Sequence, residues 1–357
     1  MNEKKVMVAM SGGVDSAVAA LLVRDAGYDA AGITMRLWDK NTRIPDQAPS
    51  QDLDENAREA YAIAERLGIP HVTVSLGESF WKNVITPFID TYVAGKTPNP
   101  CVVCNRDIKF GALPTIAREM GYPLLATGHY ARITRDANGR YLLQKATDTS
   151  KDQSYFLWSL TQDRLASVLC PLGNYTKPEI REMAAANGFT NAHKSDSQDI
   201  CFIPNGDYIT FLQQNGNVSM EKGSFLDLEG NVLGSHNGMV RYTVGQRKGL
   251  GIALGQPMFV KEKNALQNTV TLCQNEALFS DVLTASDCNW SACDTPATAI
   301  RAEVKIRYRH TAAPATVEPI DNGRVAVRFD TPQRAIAPGQ SVVFYDGDTV
   351  IGGGVID

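Results

Sequence analysis

The stretch that decides the fold is VMVAMSGGVDSAVAALL, residues 6–22. Its first residues are apolar and predict a short buried strand, and the residues after the glycines predict an apolar helix that stops at Gly27. The turn between them, SGGVDS at 11–16, holds two glycines and two serines. Glycines allow a sharp turn and a close ligand, and a helix start offers unpaired N–H groups and the positive end of the helix dipole. We therefore expect a phosphate-binding turn at the carboxyl edge of a parallel sheet.

This turn differs from the two commonest phosphate-binding motifs. It has no Gly-Lys-Ser/Thr, so it is not a Walker A loop, and it does not match G-x-G-x-x-G. The alternative is a purely structural strand–helix turn in which an aspartate or a serine caps the helix.

Length and composition bound the function classes. The 357 residues are too many for one ordinary core, which predicts two or three domains. The opening residues MNEKK leave no room for a signal peptide and no apolar run could cross a membrane, so we expect a cytoplasmic protein. The net charge of -4 excludes a global basic field, and nucleic acid could bind only through local basic patches.

The elements change character along the chain. Strand and helix patterns alternate in the first half, which predicts a parallel sheet covered on both faces. Short alternating runs and turn residues dominate the second half. The predicted fold class is α/β + β: a parallel-sheet nucleotide-binding domain at 1–205, a small central β-rich domain at 206–273 and a C-terminal β-barrel-like domain at 274–357.

Three local patterns are specific enough to test. A capping box of Thr176 and Glu179 predicts a helix that Gly188 ends. Asn138-Gly139 predicts a hairpin turn. AEVKIRYRH, residues 302–310, predicts a strand with alternate cations on one face, which could be a solvated surface or a phosphate-binding patch.

Two of the seven cysteines, Cys101 and Cys104, lie in the stretch TPNPCVVCNRDIKF, residues 97–110. A zinc knuckle, a local redox pair and a nucleophile with a neighbour all fit this spacing, although no second C-x-x-C or H-x₃-H completes a zinc site. With Cys201, three thiolates could instead hold an iron–sulfur cluster with one open iron. The remaining thiols are interpreted as packing residues: Cys170, Cys273, Cys288 and Cys293.

Further motifs follow the opening turn in a fixed order: GKTPNPCVVCNRDIKFG, LATGHYAR, KDQSYFL, LGNYTKPEIREMA, KSDSQDICFI and YTVGQRKGLGI. Together with the turn, this set resembles the tRNA-specific 2-thiouridylase family of the ATP-pyrophosphatase (PP-loop) superfamily. The match runs from the first strand to about residue 255 and is weaker in VKIRYRH and APGQ.

The resemblance implies an ATP-dependent replacement of the 2-oxygen of a wobble uridine by sulfur, in which the oxygen is first adenylated. It implies that Cys104 is the nucleophile and that Cys201 carries a persulfide. It implies an ATP site formed by Ala9, Met10, Ser11, Gly12, Gly13, Val14, Asp15, Ser16, Met35 and Gly128. It implies a target-base pocket and tRNA contacts formed by Asn99, Pro100, Cys101, His129, Lys151, Asp152, Gln153, Arg307, Tyr308 and Gln340.

One residue departs from part of the family. Some members have Asp where this chain has Cys101, which places an extra thiol beside the nucleophile. Cys104 keeps the shared Cys-Asn spacing, and we therefore interpret it as the reacting thiol. The Ser, Asp and Gly content around Cys201 predicts a loop that could bring it to Cys104.

The implied cofactors and partners are ATP with Mg²⁺, for which Asp15 is a candidate contact, tRNA isoacceptors for Lys, Glu and Gln, and a cysteine desulfurase or sulfur-relay protein as donor. A monomer without membrane contact is expected. Three alternatives remain: iron–sulfur-dependent sulfuration with Cys101, Cys104 and Cys201 as cluster ligands, a small-molecule PP-loop synthetase, and an RNA-binding protein that uses ATP as a switch.

Overall fold

A computed structural model describes residues 4–37, 54–192, 200–203, 206–216, 218 and 220–357. The strands in chain order are β1 (Lys5–Ala9), β2 (Asp29–Arg36), β3 (His71–Ser75), β4 (Leu124–Ala126), β5 (Ala131–Arg135), β6 (Tyr141–Lys145), β7 (Val168–Leu169), β8 (Gly223–Leu226), β9 (Val232–His236), β10 (Phe259–Asn264), β11 (Thr269–Cys273), β12 (Phe279–Trp290), β13 (Ile300–Lys305), β14 (Ala313–Pro319), β15 (Val325–Arg334), β16 (Ser341–Asp346) and β17 (Thr349–Ile356).

The helices belong mainly to the first part of the chain. They are α1 (Val14–Asp25), α2 (Glu55–Leu67), α3 (Gly77–Phe80), α4 (Thr86–Val93), α5 (Pro100–Cys104), α6 (Leu113–Glu119), α7 (Gln162–Leu165), α8 (Lys177–Ala186) and α9 (Tyr208–Gly216). Two π-helical segments, Trp81–Ile85 and Asn105–Ala112, join α3 to α4 and α5 to α6. Among the described residues, no helix combines the length and the apolar character needed to cross a bilayer.

The first sheet has the order β3-β2-β1-β4-β7, and every pairing in it is parallel. Its central strand is buried on both faces. Val6 and Val8 face the core that α1, α2 and α8 cover, whereas Met7 faces a second core that contains Phe80 and Phe88. This two-sided burial explains why the strand reads as a continuous apolar run.

Helix boundaries follow local chemistry. The side chain of Asp54 accepts a hydrogen bond from the backbone N–H of Ala57 at the start of α2, and Gly68 ends that helix with a left-handed φ of 69°. The predicted capping box of Thr176 and Glu179 is present at the start of α8. That local prediction is confirmed.

The remaining strands form two β regions. A four-stranded sheet of order β10-β11-β8-β9 surrounds a small core that includes Phe225, Val260 and Leu272. The last six strands close into a barrel because β12 pairs with both β15 and β17, with Ala285 opposite Ile356. The hairpin β5–β6, turning at Gly139 as predicted, joins this barrel through Gln144 and Thr349. The predicted fold class, α/β + β, is confirmed.

One strand is shorter than predicted. β13 ends at Lys305, and the backbone N–H of His310 donates to the carbonyl of Arg307, which closes a turn. The alternating pattern continued through this turn, so the pattern could not show where the ladder stopped. Arg307 and Tyr308 therefore lie on a turn at the end of the barrel and not on a strand face.

Candidate active site

The SGGVDS turn lies directly after β1. Ser16 Oγ accepts a hydrogen bond from the backbone N–H of Ser11 (3.1 Å) and donates one to the carbonyl of Gly13 (3.0 Å), so the turn is closed by its own hydroxyl. Gly13 is the N-cap of α1, and no side chain caps that end. The alternative of an aspartate or serine N-cap is therefore not observed. The first amide groups of the helix remain available to an anion.

Gly12 has a φ of +72°, which side chains rarely adopt. A Cβ there would also lie 2.8 Å from the carbonyl oxygen of Asn56 at the start of α2. The side-chain amide of Asn191 donates to the Gly12 carbonyl from the opposite direction (2.8 Å). The turn is thus held between two distant parts of the chain and needs glycine at this position.

The other residues predicted for ATP lie around the turn. A Cβ on Gly128 would come within 3.0 Å of the Ser16 nitrogen and 2.9 Å of the Asp15 carbonyl carbon, so the two backbones touch. Met35 lies near the carboxyl end of β2, two residues beyond Ile33, which pairs with Ala9. The structure therefore brings the whole predicted nucleotide set to one edge of the sheet.

Asp15 has partners that the sequence did not reveal. Lys177 Nζ lies 2.8 and 2.9 Å from its two carboxylate oxygens, and the Tyr130 hydroxyl donates to it at 2.8 Å. The Lys177 side chain is only 8% exposed. A carboxylate in this ion pair does not fit a direct Mg²⁺ contact, and its position instead ties α1 to α8.

We expect Lys177→Met to lower the free energy of unfolding by about 2–4 kcal/mol, because it leaves the Asp15 carboxylate partly buried without its cation. Urea denaturation measures the change. Adding Asp15→Asn to that variant should restore part of the loss, since the unpaired charge disappears. A single variant within about 0.5 kcal/mol of the parent would contradict a structural role for the pair.

The Cys104 thiol lies in the core on the face of the sheet opposite α1. Cys104 ends α5 and is 8% exposed, whereas Cys101 and Cys201 are exposed. All seven cysteines are unbridged. Cys201 is positioned by its neighbour Phe202, whose ring packs against Phe80 (5.5 Å between centroids) and Phe88 (5.3 Å) in the core that also contains Cys104.

The three thiols influence one another electrostatically. Burial raises the pKa of Cys104 to about 12, and the Lys109 ammonium opposes this rise, while charge on Cys201, Cys101 or Asp107 adds to it. Cys101 and Cys201 reach the surface, but the atoms packed around their sulfurs still desolvate them and raise the pKa of both thiols, and Lys109 again lowers it. The structure thus brings together cysteines that are far apart in sequence. The loop predicted to move Cys201 lies partly outside the described residues, at 193–199 and 204–205.

Metal ligation is not supported by this arrangement. Within the described ranges, which include all seven cysteines, no group of three or more His, Cys, Asp or Glu side chains is placed to hold a metal ion. The three thiols therefore do not form a site for a single metal ion among the described residues.

His129 links the two halves of the edge. It follows Gly128, is 9% exposed, and its Nδ1 lies 2.9 Å from Thr127 Oγ1. Its ring lies 5.5 Å from that of Phe110. Burial and the Lys109 ammonium lower the pKa of His129 well below its usual range, so the imidazole is neutral.

Two of the residues at 151–153, Asp152 and Gln153, form hydrogen bonds inside the protein. The Asp152 carboxylate is buried and accepts hydrogen bonds from the N–H groups of Ala146 and Ser154, both at 3.1 Å, and from the Ser154 hydroxyl. Gln153 Oε1 accepts from the Tyr130 N–H at 2.9 Å. These two residues shape the segment from within.

Arg307 and Tyr308 lie beside that segment. Arg307 is exposed, and its guanidinium donates to the Arg334 carbonyl at 3.2 Å. The Tyr308 ring lies 4.5 Å from that of Phe156. Burial raises the pKa of Tyr308 and the nearby Lys151 ammonium lowers it. The structure therefore brings the predicted tRNA residues of the first domain and of the barrel together.

Gln340 joins the barrel to the thiol loop. Its amide donates to the carbonyls of Thr97 (3.1 Å) and Pro98 (3.0 Å), and the Asn99 side chain hydrogen-bonds to the hydroxyl of Tyr155. Pro100, the first residue of α5, is buried. The barrel thus supports the loop that carries Cys101 and Cys104.

The sequence did not single out several residues that complete the site. Asn105 is buried, and its amide donates to the Phe156 carbonyl at 3.1 Å, which connects the thiol helix to the aromatic pair. Lys109 and Lys177 are the others. Asn105 and Lys109 lie within the quoted cysteine motif, but nothing in their spacing indicated their contacts.

Comparison with known proteins matches three family models to successive parts of the chain. Models described as the tRNA methyl transferase HUP domain, the tRNA methyl transferase PRC-barrel domain and the aminomethyltransferase beta-barrel domain match residues 4–205, 209–274 and 280–356. Proteins named tRNA-specific 2-thiouridylase MnmA are similar over the full length. Those of Geotalea uraniireducens and Acetivibrio thermocellus are 48% and 47% identical, over 99% and 100% of this chain and 95% and 100% of their own length. The protein of Clostridioides difficile is 46% identical over 99% of this chain and 98% of its own.

The chain belongs to the tRNA-specific 2-thiouridylase family. The resemblance drawn from the ordered motifs is confirmed, and the match to this family extends through the barrel, where the motifs were weakest. In this 2-thiouridylase-family chain, Gly128 touches the phosphate-binding turn and the next residue, His129, contacts Phe110 of the two-cysteine segment.

Proposed function

We propose that this chain catalyses ATP-dependent 2-thiolation of the wobble uridine of tRNA. The observation that carries the proposal is that Cys104 lies in the core into which Phe202, the neighbour of Cys201, also packs. His129 connects this region to the phosphate-binding turn, because its ring contacts Phe110 and the preceding Gly128 touches the turn. Family membership over the full length supports the same reaction. The small-molecule synthetase alternative needs the turn but has no use for neighbouring thiols.

The first step requires the turn. Its glycines and uncapped helix amides suit the phosphates of ATP. The uridine 2-oxygen attacks the α-phosphorus, and the bond to pyrophosphate breaks. The oxygen is then part of a good leaving group, AMP. The Asp15–Lys177 pair holds the turn in place.

The second step requires two thiols. Cys201 would carry a terminal sulfur as a persulfide, and that sulfur attacks C2 of the base as AMP leaves. The Cys104 thiolate then attacks the inner sulfur of Cys201, which breaks the S–S bond and releases 2-thiouridine. A Cys104–Cys201 disulfide remains, and an external thiol reductant must reopen it before the next cycle.

Binding of tRNA would use the face formed by Lys151, Arg307 and Tyr308. Aromatic rings suit the bases of an unpaired loop, and cations suit its phosphates. Arg247 and Lys248 of the central region are exposed and extend the positive surface. Local patches of this kind are required because the net charge is -4.

The finer partners remain proposals. We propose that the tRNAs are isoacceptors for Lys, Glu and Gln, that a cysteine desulfurase or a relay protein loads Cys201, and that a monomer acts on one tRNA. The exposed surface of Cys201 is consistent with loading by another protein.

The test is incubation with ATP, unmodified tRNA, a persulfide source and a thiol reductant, followed by nucleoside mass analysis. We expect 2-thiouridine at the wobble position, with AMP and pyrophosphate formed in equal amounts. Accumulation of AMP without 2-thiouridine would show that the substrate is wrong. Release of ADP instead would exclude adenylation altogether.

A further inference from the structure

A single cation influences all three thiols of the site. Lys109 opposes the rise in pKa that burial imposes on Cys101, Cys104 and Cys201, and it also acts on His129. Its side chain is half-buried. Within the described part of the chain its ammonium forms no hydrogen bond and no ion pair with a carboxylate.

The backbone explains this position. The segment Asn105–Ala112 is π-helical, and its last bond runs from the Leu113 N–H to the Ile108 carbonyl, five residues back. In such a helix, residues five apart lie one turn apart on the same side. Lys109 is five residues after Cys104, and the π segment therefore places the ammonium on the side of the helix that presents this thiol. The following residue, Phe110, contacts His129.

The carboxylate of Asp107 is paired with the guanidinium of Arg106. Asp107 lies between Cys104 and Lys109 in sequence, but Arg106 binds both of its carboxylate oxygens at 2.9 Å. This pair weakens the effect of a carboxylate that would otherwise discourage thiolates. Among the described residues, the charged and titratable groups around the thiols are Lys109, the Arg106–Asp107 pair and the thiols themselves, together with a neutral His129. Lys194, Asp196 and Asp199, which precede Cys201 in sequence, lie outside the described residues.

We propose that Lys109 is a positioning residue for sulfur transfer, whose ammonium stabilises the anionic sulfur of Cys104 and of Cys201. This role rests on the proposed function and adds a residue to it. Lys109 exchanges no proton or bond with the substrate. It favours the thiolate that attacks the persulfide and the persulfide anion that attacks the base, since both carry negative charge on sulfur.

The test measures thiol ionisation in the full chain without ATP or tRNA. The reduced protein is treated with iodoacetamide at pH values between about 6 and 10, a span that brackets the ordinary thiol pKa. Peptide mass analysis gives the alkylation rates of Cys104 and Cys201. Removing the cation raises the pKa of both thiols, so fewer are ionised at a given pH. For Lys109→Gln we expect rates at pH 8 to fall about threefold to tenfold and the profile to move to higher pH.

Three controls separate charge from folding. Lys109→Arg should keep the parental profile because it keeps the charge. Lys82→Gln removes an exposed lysine from the other π-helical segment and should change nothing. Cys293, in the barrel region, serves as an internal reference whose rate should stay constant in every variant. Lys109→Met replaces the Gln variant if that protein does not fold.

Overlapping profiles for Lys109→Gln and the parent would overturn the role of Lys109, and so would an equal slowing at Cys293. These readouts do not depend on tRNA sulfuration. If the pH profile of alkylation shifts but the chain makes no 2-thiouridine, the role of Lys109 is supported and only the proposed function is contradicted. If the profile does not shift but the enzyme makes 2-thiouridine, the role of Lys109 is contradicted and the proposed function is supported.

Discussion

A Cys201→Ser variant is expected to lose 2-thiouridine formation by a factor on the order of 10³ or more, while it still releases pyrophosphate from ATP in the presence of tRNA. A serine hydroxyl cannot carry a transferable sulfur, but Cys201 lies outside the turn that binds phosphates. Nucleoside mass analysis measures the first quantity, and a pyrophosphate assay measures the second.

Two further variants make this result specific. Cys293→Ser alters a thiol in the barrel region and should leave both readouts unchanged. Cys104→Ser should also slow turnover strongly, with the base still joined to Cys201 through the transferred sulfur, because the thiol assigned to attack the inner sulfur is missing. If Cys201→Ser continued to make 2-thiouridine, sulfur would have to arrive without a persulfide at this position, as a small-molecule mechanism would allow.

The second large effect is expected at Gly12. In a Gly12→Ala variant, the new Cβ meets the Asn56 carbonyl at 2.8 Å while the backbone must keep a φ of +72°. Because the Asn56 carbonyl belongs to the backbone of α2 and cannot rotate away, the phosphate-binding turn has to shift. We expect the KM for ATP to rise about tenfold to a hundredfold and the free energy of unfolding to fall by about 2–4 kcal/mol.

Gly27→Ala is the matched control for that prediction. Gly27 has a similar φ of +81°, but a Cβ there would meet nothing within 4 Å. It should therefore show only the cost of the left-handed conformation, about 1 kcal/mol in urea denaturation, with an unchanged KM for ATP. Equal effects of the two substitutions would mean that the contact between the turn and α2 has no role in nucleotide binding.

Helix ends and tight turns could be predicted from the sequence because they depend on residues that are close together in the chain. The capping box at Thr176, the glycine stop after α1 and the hairpin at Gly139 each involve contacts within a few positions. The end of β13 could not be predicted, because the alternation of apolar residues continues beyond the last hydrogen bond between the strands. Periodicity reports which side of a strand is buried, but not whether a partner strand is present.

The candidate site divides in the same way. The turn and the two-cysteine loop could be found as motifs, and the family resemblance added the roles of Cys104 and Cys201. Lys177 could not be found, because its contact with Asp15 joins residues 162 positions apart. Lys109 lies in the quoted motif, but its proposed influence on the thiols requires the π-helical segment and the packing of Phe202, the neighbour of Cys201, in the core that contains Cys104.

The amino-acid sequence alone determined the order of strands and helices, the nucleotide-binding turn and the family, because each depends on residue types at short spacing. Only the tertiary structure decided that the barrel supports the thiol loop through Gln340 and that the two thiols of this loop and the distant Cys201 are all influenced by Lys109. Such contacts depend on how separate elements pack, and a carboxylate or an ammonium acquires its chemistry from the neighbours that packing brings to it.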